Sequence, residues 1–198
     1  MVSPDARRDH HLSPRGDCRK SRPPVNAALR SLVAAFLRQT RLDHCPVRVR
    51  RGIANGARWT IYPWTSYWRG TFEPALQAEL SVLGDGNLRG WACWDLGAHF
   101  GLYSIGLARR VGPTGEVAAF EPNPVSFARL AHHQRMNRLP WLKLYRAAAS
   151  DHSGQAEIFT YGNPHTTTTH LAYEGELHPP PAHALSVRTT RLDDLVAG

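Results

Sequence analysis

From Trp91 onward the chain alternates short apolar runs with helical patterns, and this rhythm limits the fold more than any other feature. Trp91–Leu96 is a short apolar run that predicts a strand, and Leu102–Arg110 carries a helical pattern. Glu116–Phe120 predicts a second strand and Leu142–Ala148 a third, with a helix over Pro124–Asn137 between them. Asn123 is well placed as the N-cap of that helix and Pro124 as its first residue, where a missing N–H costs nothing. Strand–helix–strand–helix–strand implies a parallel α/β sheet with right-handed crossovers. Gln155–Tyr161 and Ser186–Thr190 also look strand-like and suggest a β-hairpin, separated by a long Thr-, His- and Pro-rich loop over Gly162–His183. A loop of that length is usually functional or mobile.

The preceding residues divide into two parts. Residues 1–24 lack periodicity and end in a proline pair, which predicts a basic mobile tail. Residues 25–90 read as an extension of helices and short strands, and residues 91–198 as the main domain. Val25, Ala28, Leu29, Leu32, Val33, Phe36 and Leu37 recur at helical steps, so one helix face is expected to bury. Val47 to Tyr62 suggests two strands joined by a turn at Gly52–Gly56. Glu73-Pro74 opens a helix whose buried stripe is expected to be Leu76, Leu80 and Leu83, stopping at Gly84 before an Asp85-Gly86 turn.

The net charge of +8 first suggests nucleic acid or a membrane surface. Its distribution argues otherwise: 13 basic and 4 acidic residues precede residue 61, and 11 and 12 follow it. The tail has arginines to attract phosphates but no aromatic platform for bases. No apolar run reaches the ~20 residues of a membrane span, and no secretory signal is visible, so a cytoplasmic location is expected. Three cysteines without C-x-x-C spacing give neither a disulfide scaffold nor a cysteine metal site, and no metal is expected.

The chemistry concentrates in Trp94–Gly101, WDLGAHFG, which closes a strand and opens a helix. That junction is where a parallel sheet offers a ligand its crevice. Gly97 permits a sharp turn and Gly101 a close approach to a ligand, while the N–H groups of the helix start favour a carboxylate or phosphate. Asp95 would repel a pyrophosphate but welcome an ammonium. Amine and carboxylate together suit an amino-acid tail, such as that of S-adenosylmethionine. Glu121 ends the second strand about 20 residues beyond the glycine loop, the spacing of an acidic residue that binds ribose hydroxyls. Both signals point to a nucleoside-bearing ligand. NAD is the runner-up, because the glycines read G-x-x-x-G rather than G-x-G-x-x-G.

DLGAHFGLYSIGLAR, GPTGEVAAFEPNPVSFARL, MNRL and AAASDHSGQAEIF together closely resemble the FkbM-type S-adenosylmethionine-dependent methyltransferases. Gly70-Thr71-Phe72-Glu73-Pro74 resembles the stretch that precedes their core, and the 189–195 segment, TTRLDDL, is similar to their T-x-L-D-D-L. The resemblance implies a Rossmann-like class I methyltransferase fold, S-adenosylmethionine as cofactor, and O-methylation of a sugar or natural-product hydroxyl. Its acceptor would be a small molecule or glycan. By the same resemblance Asp95, Gly97, Ala98 and Gly101 would hold the cofactor's methionine end. Glu121 would hold the ribose, with Pro122 and Asn123 shaping the loop. His99 stands where the family has asparagine and is expected to alter affinity. Ala148, Ser150 and Asp151 would lie near the adenine; Glu73 would close the pocket or cap its own helix.

No residue identifies itself as the base that takes the acceptor's proton. His165 and His170 bracket four threonines and suit acceptor contact, a base, a weak metal site or plain polar surface; His132 and His133 are expected at the surface. In the family a further core strand follows T-x-L-D-D-L, so the chain is expected to be truncated after the third core strand and hairpin, without its catalytic half. Self-association through the open sheet edge is the corresponding expectation. The alternatives are a non-catalytic nucleoside- or partner-binding remnant and, through the basic arm, a nucleic-acid-associated protein.

Overall fold

A computed structural model of the chain describes residues 46–61, 65, 67–82, 88–160, 169–171 and 183–196, together with 32, 36 and 39. Two short antiparallel strands come first, β1 (Pro46–Arg48) and β2 (Arg58–Thr60), followed by a 3-10 turn at Tyr67–Arg69 and helix α1 (Pro74–Val82). The parallel α/β unit then runs β3 (Ala92–Leu96), α2 (Leu102–Val111), β4 (Glu116–Phe120), α3 (Pro124–Asn137) and β5 (Leu142–Tyr145). Its sheet order is β3-β4-β5, with every pair parallel. Asn123 caps α3 as expected, its side chain accepting from Val125 N and Ser126 N. Among the described residues no helix is long and apolar enough to cross a membrane.

The expected third strand divides in two. Tyr145 pairs with Phe120 in the parallel sheet, and after Arg146 and Ala147 the chain starts β6 (Ala148–Ser150), which pairs instead with Thr189–Arg191. The expected hairpin is consequently part of a four-stranded sheet, ordered β6-β9-β7-β8, with β7 at Gly154–Thr160, β8 at Thr169–Leu171 and β9 at His183–Arg191. Strand β8 lies inside the stretch expected to be loop, because β7 offers it an edge to pair with. A short helix α4 (Asp193–Val196) ends the described chain.

The main hydrophobic cluster joins the early strands to the parallel sheet. Val49, Ile53, Trp59 and Tyr67 belong to the same buried cluster as Phe100, Ile105, Val117, Leu130 and Leu142. Trp59 is fully buried, stacked on His133 at 3.7 Å between ring centroids and edge-on to Tyr67 at 6.1 Å. His133 is therefore core rather than surface. Its Nδ1 lies 2.8 Å from the Phe100 carbonyl oxygen, which can only accept, so Nδ1 carries the proton. Nε2 then accepts from the Thr60 hydroxyl at 2.8 Å and from Thr60 N–H at 3.3 Å. Every polar atom of the ring is satisfied, which is what lets a histidine occupy a core.

Leu32 and Phe36, two members of the first expected apolar stripe, are largely exposed, at 67% and 58%, and its other members lie outside the described residues. On α1, Leu76 is exposed and Leu80 half-buried, whereas Gln77 is buried. Gln77 Oε1 accepts from Ile53 N–H at 3.0 Å and its Nε2 donates to the Phe72 carbonyl. Leu80 packs against the main cluster as expected, and Gln77 adds hydrogen bonds from the helix to backbone groups. The 1–24 tail, Leu83, the Gly84 stop, the Asp85-Gly86 turn and His165 lie outside the described residues.

Candidate functional site

Parallel pairing places Leu96 beside Phe120, so the loops that leave β3 and β4 emerge side by side. The Phe120 carbonyl accepts from both Gly97 N (3.0 Å) and Ala98 N (2.9 Å), which folds the glycine turn onto the end of β4. One residue later the acceptor at the end of β4 is a side chain instead of a carbonyl. The Glu121 carboxylate accepts from His99 N at 2.7 Å through Oε2 and from Asn123 N at 2.8 Å through Oε1. Glu121 N–H donates to the Tyr145 carbonyl at 3.0 Å, extending the contact to β5.

Glu121 is buried, with 6% of its surface exposed. Burial raises its pKa; the Asn123 and His99 N–H bonds pull it back down, and the nearby Asp95 charge raises it again. An acid isolated in a dry site would be protonated, and two charge-assisted bonds are what make an anion tenable there. Pro122 and Asn123 hold the loop: Asn123 is buried and spends its side-chain oxygen on the first turn of α3.

The two glycines serve different purposes. A Cβ on Gly97 would meet nothing within 4 Å, so this turn faces open space where a ligand can lie. A Cβ on Gly101 would come within 2.4 Å of Leu130 Cδ1, so the close approach it permits is between α2 and α3. Both have positive φ, +81° and +89°. Asp95 is half-buried, and its Oδ2 accepts from the Ser104 hydroxyl at 2.5 Å. Burial raises its pKa, and bonds from the side chain and backbone of Ser104 oppose that rise. Gly101 has no side chain with which to cap α2, and Asp95 at the end of β3 holds the Ser104 hydroxyl in the helix's first turn.

Above the glycine turn lies a cavity of about 190 Å³, lined by Tyr67, Phe72, Glu73, Gly97, Ala98, His99, Leu102 and Tyr103. Glu73 Oε2 accepts from the Tyr103 hydroxyl at 2.8 Å, so this carboxylate is tied to α2. The Tyr67 hydroxyl meets His99 Nδ1 at 3.0 Å, and the His99 ring stacks on Phe100 at 3.9 Å. Burial lowers the His99 pKa to about 4, so the imidazole is neutral at neutral pH. Its Nε2 is buried without a hydrogen-bond partner. Burial pushes the Tyr67 phenol up, with the Glu73 and Glu121 charges adding to the effect.

Asp95, Gly97, Ala98, His99, Glu121, Pro122 and Asn123 are thus assembled around two adjacent loops, with Gly101 behind them. Ala148 and Ser150 belong to the second sheet, and Asp151, in the bend that follows, is exposed with its Oδ1 2.7 Å from His152 Nδ1. Tyr67, Tyr103 and Ser104 were not legible as site residues. Only Ser104 left a trace, in its place at the third position of α2, where a helix has N–H groups to spare. Among the described residues no cluster of histidine, cysteine and acidic side chains can hold a metal.

Residues 95–198, a little over half of the chain, match the family described as the methyltransferase FkbM domain. The chain belongs to that family. No curated protein matches it. Among solved structures, the crystal structure of P. horikoshii TYW2 in complex with MeSAdo aligns at 18% identity with a TM-score of 0.38. The alignment covers 51% of this chain and 36% of that one, so the chain spans about a third of that structure's length. A likeness that loose carries no argument about ligand or mechanism. The family assignment rests on the match beginning at Asp95, which takes in both loops of the site.

Proposed function

We propose that the two loops form the S-adenosylmethionine site of a methyltransferase that acts on a hydroxyl of a sugar or natural product. The observation that carries this reading is the Glu121 carboxylate, buried at the end of β4 and gripped by two backbone N–H groups. Each oxygen so held keeps lone-pair capacity for a further donor, and a vicinal diol supplies two. Ribose hydroxyls would replace water that burial has removed. Gly97 supports the reading from the neighbouring loop, since the direction its side chain would take is empty space. Asp95 and Ser104 hold the helix start, Ala98 and His99 form the floor, and Pro122 and Asn123 fix the far rim. NAD fits less well, because the turn has no third glycine and Asp95 would face its pyrophosphate. The Rossmann-like class I identity of the parallel sheet is part of the same proposal.

The cofactor, when bound, supplies an electrophilic methyl group on a sulfonium. The chain's residues bind and orient it and exclude water from one side, which is most of what such a transfer asks of a protein. For a hydroxyl acceptor the cofactor would supply the methyl group and retain the electron pair of its carbon–sulfur bond, and a base or water would take the acceptor's proton. Calorimetry of the full chain with S-adenosylmethionine tests the binding reading. Micromolar to sub-millimolar affinity is expected, with Glu121→Gln weakening it by about 10-fold or more. No heat at millimolar ligand, or a Glu121→Gln protein that binds as well as the parent, would overturn it. Release of S-adenosylhomocysteine in the presence of a hydroxylated acceptor checks the transfer.

A further inference from the structure

We propose that the cavity between Glu73 and the glycine turn receives the amino-acid end of the methyl donor, with the Glu73 carboxylate as the partner of its ammonium group. This rests on the S-adenosylmethionine reading and moves the cation's partner from Asp95 to a residue outside the glycine loop.

The charge inventory of the cavity supports a cation. Its walls are the rings of Tyr67, Phe72 and Tyr103, the Glu73 carboxylate, a neutral His99 and small or apolar residues. Among the described residues no lysine or arginine lines it. Aromatic faces and a carboxylate attract an ammonium or sulfonium and offer nothing to balance an isolated anion. Its volume, about 190 Å³, is below the range for a whole drug-sized ligand and suits one end of a larger molecule.

Asp95 is not among the residues that line this cavity, and its Oδ2 accepts from the Ser104 hydroxyl at 2.5 Å. Glu73 does line it, just before α1, and its carboxylate accepts one hydrogen bond, from the Tyr103 hydroxyl, leaving lone pairs for a cation. Glu73 and His99, which both line the cavity, hold left-handed backbone, with φ of 44° and 49°. Non-glycine residues rarely adopt it, and two in one small cavity mark a site whose geometry is imposed from outside. His99 Nε2, buried without a partner, is a polar atom that the ligand's carboxylate or water would satisfy.

The test uses the full chain and two ligands, S-adenosylhomocysteine and 5′-methylthioadenosine, which lacks the amino-acid end. Glu73→Gln keeps the size and the Tyr103 contact but removes the charge. It should weaken S-adenosylhomocysteine by about 10-fold or more and leave 5′-methylthioadenosine within about 2-fold. Tyr103→Phe, which frees Glu73 to swing away, should weaken the same ligand alone by a smaller factor. This second variant decides the matter if Glu73→Gln fails to fold. Equal effects on both ligands, or none on either, would overturn the inference while leaving the cofactor reading intact. A selective loss in Asp95→Asn that is absent in Glu73→Gln would return the ammonium to Asp95 and overturn it too. A parent protein that binds neither ligand would sink the cofactor reading and this inference together.

Discussion

The parallel sheet and the second sheet are built to different standards. The parallel sheet shares its cluster with β1, β2 and Tyr67, and that cluster includes the fully buried Trp59, Phe100, Ile105, Leu130 and Leu142. Among the described residues the second sheet has a cluster of its own, Ala148, Ile158 and Val187, with Leu185 packed against it. A cavity of about 670 Å³ opens between the sheets, from Pro122, Tyr145 and Ala147 to Val187, Arg188 and Leu195. The candidate site sits on the better-packed side. A site that must hold carboxylates and amides within a few tenths of an ångström needs supports that do not move, and a small cluster cannot provide them. The second sheet is instead held largely by its ladder, in which β9 pairs with both β6 and β7.

The difference can be broken most severely at Trp59. Trp59→Ala removes a fully buried ring together with its stacking on His133, and should cost about 3–5 kcal/mol in urea unfolding. A loss below ~1 kcal/mol would mean that the early strands are not part of the core. Next comes acid. Burial holds the His133 pKa down at about 3, against 6.5 for the free side chain. The unfolded chain therefore binds a proton between pH 6.5 and 3 that the folded one refuses, and stability must fall as pH drops through that window. From pH 7 to 4 the expected loss is ~3 kcal/mol for this one group. His133→Gln should be less stable at pH 7 and show a flatter profile; an unchanged slope would remove His133 as its source.

Gly101→Ala tests the joint between the two helices. It forces an L side chain into φ +89° and against Leu130, and should cost about 1–3 kcal/mol while leaving β7 and β9 untouched. The smallest effect is expected in the second sheet, where Val187→Ala should cost about 1 kcal/mol and leave cofactor affinity unchanged. Native-state hydrogen exchange sharpens the contrast without mutation. Amides of β7 and β9 should exchange by a lower-energy opening than those of β4, and equal protection would mean that the sheets unfold as one unit.

Much of this was legible because local physics decided it. The β3–α2–β4–α3 order followed from apolar periodicity, and the cap of α3 from Asn123-Pro124, whose side-chain oxygen and missing N–H act within one turn. The two loops of the site were legible for the same reason: glycines and an acidic residue at strand ends have few other uses. Where the reading failed, a distant partner had intervened. The 142–148 segment reads as one strand, but Ala148 pairs with Thr189 in the second sheet rather than with the parallel sheet. His132 and His133 look alike in sequence, and only the approach of Thr60 and Phe100 makes His133 a core residue.

The sequence by itself determined an α/β chain with a glycine turn and Glu121 at adjacent strand ends, because periodicity and turn chemistry act over a few residues. Only the tertiary structure decided what each site residue faces. Gly97 faces open space while Gly101 meets Leu130, and Asp95 spends its charge on Ser104 while Glu73 reaches across a cavity to Tyr103. Those choices depend on contacts between residues that are distant in sequence, and hydrogen-bond and packing geometry of that kind has no local pattern to carry it.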